Sequence, residues 1–360
     1  FAAPAGWWLA VGSLRFESRV TNMASTATGT TADADFSGMG IYVDGRVKNE
    51  LDDLLRTKNV TELTARDVHL ISSMHYLDDQ PMLKAAEFFE LEKRDETDGG
   101  GGGGGGGENT ASESDASSLH SKQPSSPKTI LDFGAGFAGD ARCLASEFQD
   151  TCVTCVEVQR HIHDAAEAFT TMLGLKDTCL HQCVDVFEDD DGDGENIEDG
   201  TPRNKIKIKG APFDALYSVL VILHVPKRDR LWSVLSANLK PGASIYIEDY
   251  FALAPLSDLD KKKLQEVVAC PYLPSKETYV KTLVENGFEN IEWETMTSKW
   301  VPFIETRLSQ FRAPENTERN LRVHGAALTK ELDVFYSTVH ELFTNGSVGG
   351  VRIRAKKAKF

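Results

Sequence analysis

Positive charge is what this sequence has too little of. Its 39 lysines and arginines face 55 aspartates and glutamates, leaving a formal net charge of -16. A nucleic-acid partner needs a basic footprint to meet its phosphates, and none stands out, so that class of partner is excluded. Half of the imbalance lies in one stretch, Glu188 to Gly200, which holds eight acids and no base. The remaining chain is only mildly acidic.

Long apolar runs are also missing. No segment reaches the roughly 18 apolar residues that a membrane-spanning helix needs. The opening FAAPAGWWLAVGSL is apolar but short, the remnant of a targeting peptide or sequence ahead of a start at Met23, which is the preferred reading. Cysteine is sparse, with six scattered residues. Cys152 and Cys155 lie three apart in the strand-like TCVTCVEV, so their side chains face opposite sides of a strand. A redox pair or shared metal there is disfavoured. The cysteines read as core thiols of a reducing, cytoplasmic setting, and no metal is expected.

What is present falls into blocks. Residues 1–36 are small and polar after the apolar opening, and are expected to be disordered or a targeting remnant. Residues 37–94 carry apolar residues three and four apart in VKNELDDLLRTKN, TARDVHLISSMHYL and PMLKAAEFFELEK, a small helical cap. Thr64 with Asp67 resembles a helix-start pair, and Pro81 suits a first turn. Residues 95–128, with nine consecutive glycines from Gly99 to Gly107, read as a linker. From 129 to 360 strands and helices alternate: TILDF, DARCLASEF, TCVTCVEV, HDAAEAFTTMLG, LHQCVDVF, FDALYSV, RDRLWSVLSANL and SIYIEDY. Alternation of this kind builds an α/β domain around a mainly parallel sheet covered on both faces. Within it, 188–205 is an acidic insertion. Its Asp189-x-Asp191-x-Asp193-Gly194 starts like a calcium loop, but Gly200 stands where the bidentate glutamate belongs.

The sharpest signal is Asp132-Phe-Gly134-Ala135-Gly136-Phe-Ala-Gly139, directly after one strand and directly before a helix. Glycines there let the backbone turn tightly and approach a ligand. Glu157 ends the following strand, placed to accept both hydroxyls of a ribose. That much suits a nicotinamide cofactor and S-adenosylmethionine alike. Asp185 at the end of the third strand can accept from an adenine amino group. Leu239-Lys-Pro-Gly242 reads as the turn into the fifth strand.

Together these motifs resemble the class I S-adenosylmethionine-dependent methyltransferases over about residues 128–255. The resemblance implies a Rossmann-like core with a mainly parallel seven-stranded sheet, and S-adenosylmethionine as cofactor. The residues expected to hold it are Asp132, Gly134, Ala135, Gly136, Gly139, Glu157, Val158, Asp185 and Val186. DFGAGFAGDARCLA, ILHVPKRDRL, IEDY and GGVRIRAKK are similar to the phosphoethanolamine and sarcosine/dimethylglycine N-methyltransferases. By that similarity His224 and a cap tyrosine, Tyr76 or Tyr42, act near the acceptor nitrogen. Tyr250, Tyr272, Trp300 and Trp293 would wall the acceptor pocket by cation–π contact. Two departures stand out. Leu220 replaces an acid expected four residues before the histidine, and no arginine adjoins Tyr272 in VVACPYLPS.

The expected function is methyl transfer to a small molecule, an amine nitrogen first. Methylation of lipid carbon, sulfur or oxygen, or a silent cofactor-binding module, are the alternatives. A nicotinamide oxidoreductase stands further off. For His224 the competing reading is a helix-start histidine with its ring bonded to backbone. The sequence is silent on oligomeric state.

Overall fold

The computed structural model describes residues 44–94 except Ser73, 127–187 and 208–359. The segments expected to be a disordered start (1–36), nearly all of the linker (95–128) and the acidic insertion (188–205) lie outside the described residues, as does Tyr42.

Alternating elements give a seven-stranded sheet in the order β3-β2-β1-β4-β5-β7-β6. Its strands are β1 (Lys128–Phe133), β2 (Thr151–Glu157), β3 (Cys179–Cys183), β4 (Phe213–Val219), β5 (Leu239–Ala252), β6 (Phe288–Thr295) and β7 (Val348–Lys357). The first five pair in parallel, whereas β7 runs antiparallel between β5 and β6. The sheet is therefore mixed, parallel where the glycine motif sits and antiparallel at its far edge. Side chains alternate across it, so Ile130 and Leu131 enter opposite apolar layers.

One layer packs under α6 (Arg228–Ala237) and α8 (Lys276–Glu285), with Trp232, Leu235 and Leu283 fully buried. The opposite layer packs under α4 (Gly139–Glu147), α5 (Arg160–Met172) and the cap helix α3 (Gln80–Phe88). The cap begins with α1 (Asp44–Leu54) and α2 (Ala65–Ser72). Thr64 and Asp67 close the start of α2 reciprocally, at 2.8 and 3.2 Å, and Pro81 stands in the first turn of α3.

Three local expectations need correcting. The helix read through TARDVHLISSMHYL stops at Ser72, and Leu77 and Asp78 take positive φ in a turn before α3. His75 and Tyr76 therefore lie off the helix, between its end and that turn. Strand β3 ends at Cys183, so Asp185 lies beyond it. Leu239-Lys-Pro-Gly242 belongs to β5 itself, as an irregular start with Gly242 at φ +80° and a register shift opposite Phe213. Pro241 cannot donate to a ladder, and that accounts for the irregularity.

After α7 (Asp258–Val267) and β6, α9 (Thr297–Arg312) and the long α10 (Pro314–Thr344) complete the chain before β7. Gly325 breaks α10 with φ +77°. The second helix was not legible as a separate element. Its start folds back on α1: Arg319 bonds Glu50 and Asp53, Arg322 bonds Asp53, and His324 bonds Glu50.

Candidate active site

The loop after β1 is shaped by two left-handed glycines. Gly134 has φ +70°, and a Cβ there would lie 2.1 Å from a methyl of Val221. Gly136 has φ +54°, but nothing lies within 4 Å of its would-be Cβ. The first glycine permits close packing, and the second faces open space. Backbone N–H groups of Gly134 and Ala135 donate to Val156 O at 2.9 and 3.0 Å, fastening the loop to the end of β2.

Glu157 is the last residue of β2, as its position in the sequence implied. Its carboxylate accepts from Gly136 N at 3.1 Å and Gln159 N at 2.8 Å. Burial nevertheless raises its pKa, with the backbone donors pulling the other way. Such a group gains by meeting hydroxyl donors. Asp132 lies buried beneath the loop, its pKa pushed well above normal by burial first and by Asp140 next. Gly139 opens α4. Val158 is half exposed at the sheet edge and Val186 is buried. The Asp185 carboxylate accepts from Phe187 N at 2.8 Å, a turn-capping bond.

On the cap side, Tyr76, Tyr250 and Trp300 come together. The hydroxyls of Tyr76 and Tyr250 hydrogen-bond with their rings nearly parallel, and Trp300 lies 4.9 Å from the Tyr76 ring. Phe343 closes the group edge-on, 5.0 Å from Tyr250. Burial pushes the Tyr76 hydroxyl up to about 12, so it stays protonated. Arg307 holds the segment by donating to Met74 O and His75 O, with its guanidinium 5.6 Å above the Tyr76 ring.

The other expected residues fall elsewhere. His224 lies in a short turn after β4, its Nδ1 3.0 Å from Ala269 O. A carbonyl only accepts, so Nδ1 carries the proton. Burial lowers the ring's pKa to about 4. Tyr272 is 50% exposed and stacks over Arg228, an arginine that adjoins it through the fold and not through the chain. Trp293 packs edge-on to Phe251 and Tyr279, on the opposite sheet face.

A buried polar network escaped sequence reasoning. Asp140, the second residue of α4, meets His69 Nε2 at 2.7 Å and His75 Nε2 at 2.8 Å, and accepts from the Tyr217 hydroxyl at 2.7 Å. Burial alone would raise its pKa, but the histidines outweigh it and hold the carboxylate far below normal. Burial likewise opposes charge on His75, and Asp140 outweighs it, raising that pKa. Nearby, Glu248 bonds the Tyr246 hydroxyl at 2.6 Å and Arg352 at 2.7 Å. The only available signal was Asp140 directly after the last motif glycine, since its partners lie 65 or more positions away.

No family model matches the chain. Among curated proteins, the chain is 28% identical over 194 residues to a glycine/sarcosine/dimethylglycine N-methyltransferase of Actinopolyspora halophila, covering 54% of this chain and 31% of that protein. A second, phosphoethanolamine N-methyltransferase 2 of Caenorhabditis elegans, is 26% identical over 48% of this chain and 35% of its own length. The match thus spans about a third of each relative. Among solved structures, phosphoethanolamine N-methyltransferase 2 of Haemonchus contortus, in complex with phosphomonomethylethanolamine and S-adenosylhomocysteine, superposes with a TM-score of 0.59 at 18% identity. It covers 88% of this chain and 60% of that one. The fold is that of the class I methyltransferases. The resemblance read from the glycine motif holds: the two curated relatives are N-methyltransferases of small amines, and a third, 26% identical over 49% of this chain and 46% of its own length, is named as a tocopherol O-methyltransferase of Oryza sativa subsp. japonica. No described helix is long and apolar enough to cross a membrane.

Proposed function

We propose that this chain transfers a methyl group from S-adenosylmethionine to a small acceptor, with an amine nitrogen as the preferred nucleophile. The observation that carries the reading is the pairing of the open Gly136 turn with Glu157, a buried carboxylate at the carboxyl end of the parallel strands. Ligands of open α/β sheets gather at that edge. The glycine loop and Glu157 would cradle the donor's ribose and amino-acid portions, with Val158, Asp185 and Val186 along the adenine side.

The sulfonium supplies an already activated methyl, so the protein's part is alignment, worth up to about 7–11 kcal/mol in the best-oriented systems. Tyr76, Tyr250 and Trp300 would wall the acceptor side, with the Arg307 guanidinium already seated on one face of Tyr76. His224 would serve as a weak base through Nε2, in keeping with Nδ1 being committed to Ala269. Its low basicity makes alignment the larger contribution. Two of the curated relatives, named as a glycine/sarcosine/dimethylglycine and a phosphoethanolamine N-methyltransferase, support an amine acceptor, whereas the tocopherol O-methyltransferase supports oxygen as the alternative.

The test is incubation with methyl-labelled S-adenosylmethionine and a panel of amines, thiols and phenols. Label on an amine is expected. Label confined to a thiol or phenol would replace the amine reading, and binding of the donor without transfer to any acceptor would leave a cofactor-holding module.

A further inference from the structure

Strand β3 is the outermost strand of the described sheet. Between it and β2, in the layer beneath α4 and α5, lie two thiols and an imidazole that methyl transfer does not use. Cys155 Sγ is 3.6 Å from Cys179 Sγ, and Cys179 Sγ is 3.7 Å from His181 Nε2. All three donor atoms lie within 4.8 Å of one another. Both cysteines are about 1% exposed, while His181 is half-buried at the sheet edge.

A disulfide does not fit this pair. The register sets Val153 opposite Cys179 and Cys155 opposite His181, so the two cysteines sit diagonally, two residues apart along the ladder. Strand spacing and rise put such Cα atoms about 8 Å apart. A disulfide needs less than about 7 Å without backbone movement. A bound ion does fit. Zinc bonds of about 2.3 Å to sulfur and 2.0–2.1 Å to nitrogen, arranged tetrahedrally, separate two sulfurs by about 3.8 Å and sulfur from nitrogen by about 3.6 Å.

From this geometry we infer that Cys155, Cys179 and His181 form a zinc site that staples β3 to β2. Sulfur and imidazole donors in a tetrahedral arrangement select zinc over hard cations. Zinc displaces one proton from each thiol, and the two thiolates cancel its charge. His181 Nε2 exchanges its 2.8 Å contact with Thr170 for the metal, and the fourth vertex goes to that hydroxyl or to water. A second observation points the same way. Arg142 is fully buried, its Nη1 makes only 3.4 Å contacts to Ala166 O and Thr170, and its Nε and Nη2 have no partner. Burial is what weighs most against its charge. Thiolates bound to the ion would add anionic neighbours for that guanidinium beyond Asp140. The site lies on the strands that end at Glu157 and lead to Asp185, so its occupancy would stiffen the cofactor-facing edge. It does not depend on which acceptor is methylated, or on methyl transfer at all.

The experiment takes the full chain, reduced and stripped with chelator, and titrates it with zinc and with cobalt(II) as a coloured substitute. Expected is about one equivalent bound, sulfur-to-cobalt charge-transfer absorption with tetrahedral ligand-field bands, and a rise in melting temperature with zinc. Cys179→Ser and His181→Ala should each lose the bands and the thermal shift, while Cys143→Ser keeps both. Should Cys179→Ser fail to fold, the half-buried His181→Ala decides. Absence of the bands in the unmodified protein, or their survival in His181→Ala, would overturn the site.

Discussion

The two halves of the candidate site are built in opposite ways. The cofactor half is mostly local: β1, its glycine loop and the end of β2 span residues 128–157, and only Val221 beside Gly134, the cap beside Gly139, and Asp185 with Val186 come from further along the chain. The acceptor half is assembled from afar. Tyr76 and Tyr250 are 174 positions apart, and His69 and Asp140 are 71 apart. A short stretch of chain can specify the first in a motif, whereas the second exists only once the cap and the final helices have docked. The halves meet at Asp140, which follows the glycine loop yet bonds the cap histidines.

If that division is right, damage to Asp140 should undo the acceptor half and spare the fold of the other. Asp140→Ala leaves His75 without its counter-charge in a buried setting, and breaking such a pair costs about 3–5 kcal/mol. Native-state hydrogen exchange should show the cap opening while β1, β2 and β4 stay protected. Equal loss of protection in both halves would mean that they are one unit.

The cofactor half should respond separately. Glu157→Ala is expected to weaken S-adenosylmethionine binding by about 1–3 kcal/mol in calorimetry, with little change in melting temperature. Within the same loop the two glycines should part company. Gly134→Ala collides with Val221 and should lower stability, whereas Gly136→Asn meets open space, tolerates the left-handed φ, and should weaken binding while the chain still folds. Identical behaviour of the two would break the distinction drawn between them.

Acidity offers a subtler probe. His75 has a folded-state pKa above its unfolded value, so its contribution to stability is fully present below about pH 6.5 and is lost as pH rises through the raised value. The melting temperature should therefore fall as pH rises above about 6.5 through that raised value, and His75→Gln should flatten this part of the profile. The smallest expected effect is that of Tyr76→Phe, about 1 kcal/mol for one hydrogen bond between hydroxyls. Because the ring stays in place, turnover of an ammonium acceptor should change less than in Tyr76→Ala.

How much could be read in advance follows the same division. The order of β1 to β5, the glycine turn and the placement of Glu157 were legible because each is a short, periodic or strongly constrained pattern. Asp185 was placed too close to its strand, since apolar residues continue past Cys183 and periodicity does not mark where pairing ends. The reach of the second cap helix was overestimated because SSMHYL keeps helical spacing, while positive φ at Leu77 and Asp78 has no glycine to announce it. Apolar aromatics gave Tyr250 and Trp300 as neighbours in chemistry, but not that Tyr272 would turn outward onto Arg228. The Asp140 network had no pattern at all, because its members share only a point in space.

The pairing of α1 with the start of α10 sets an order of events during synthesis. Glu50 and Arg319 are 269 positions apart, so at about 5–20 residues per second the first waits on the order of tens of seconds for the second to leave the ribosome. Residues 128–252, which carry the first five strands, are complete well before that. A nascent chain would thus have its first five strands formed while the ion pairs between α1 and α10 were still unmade.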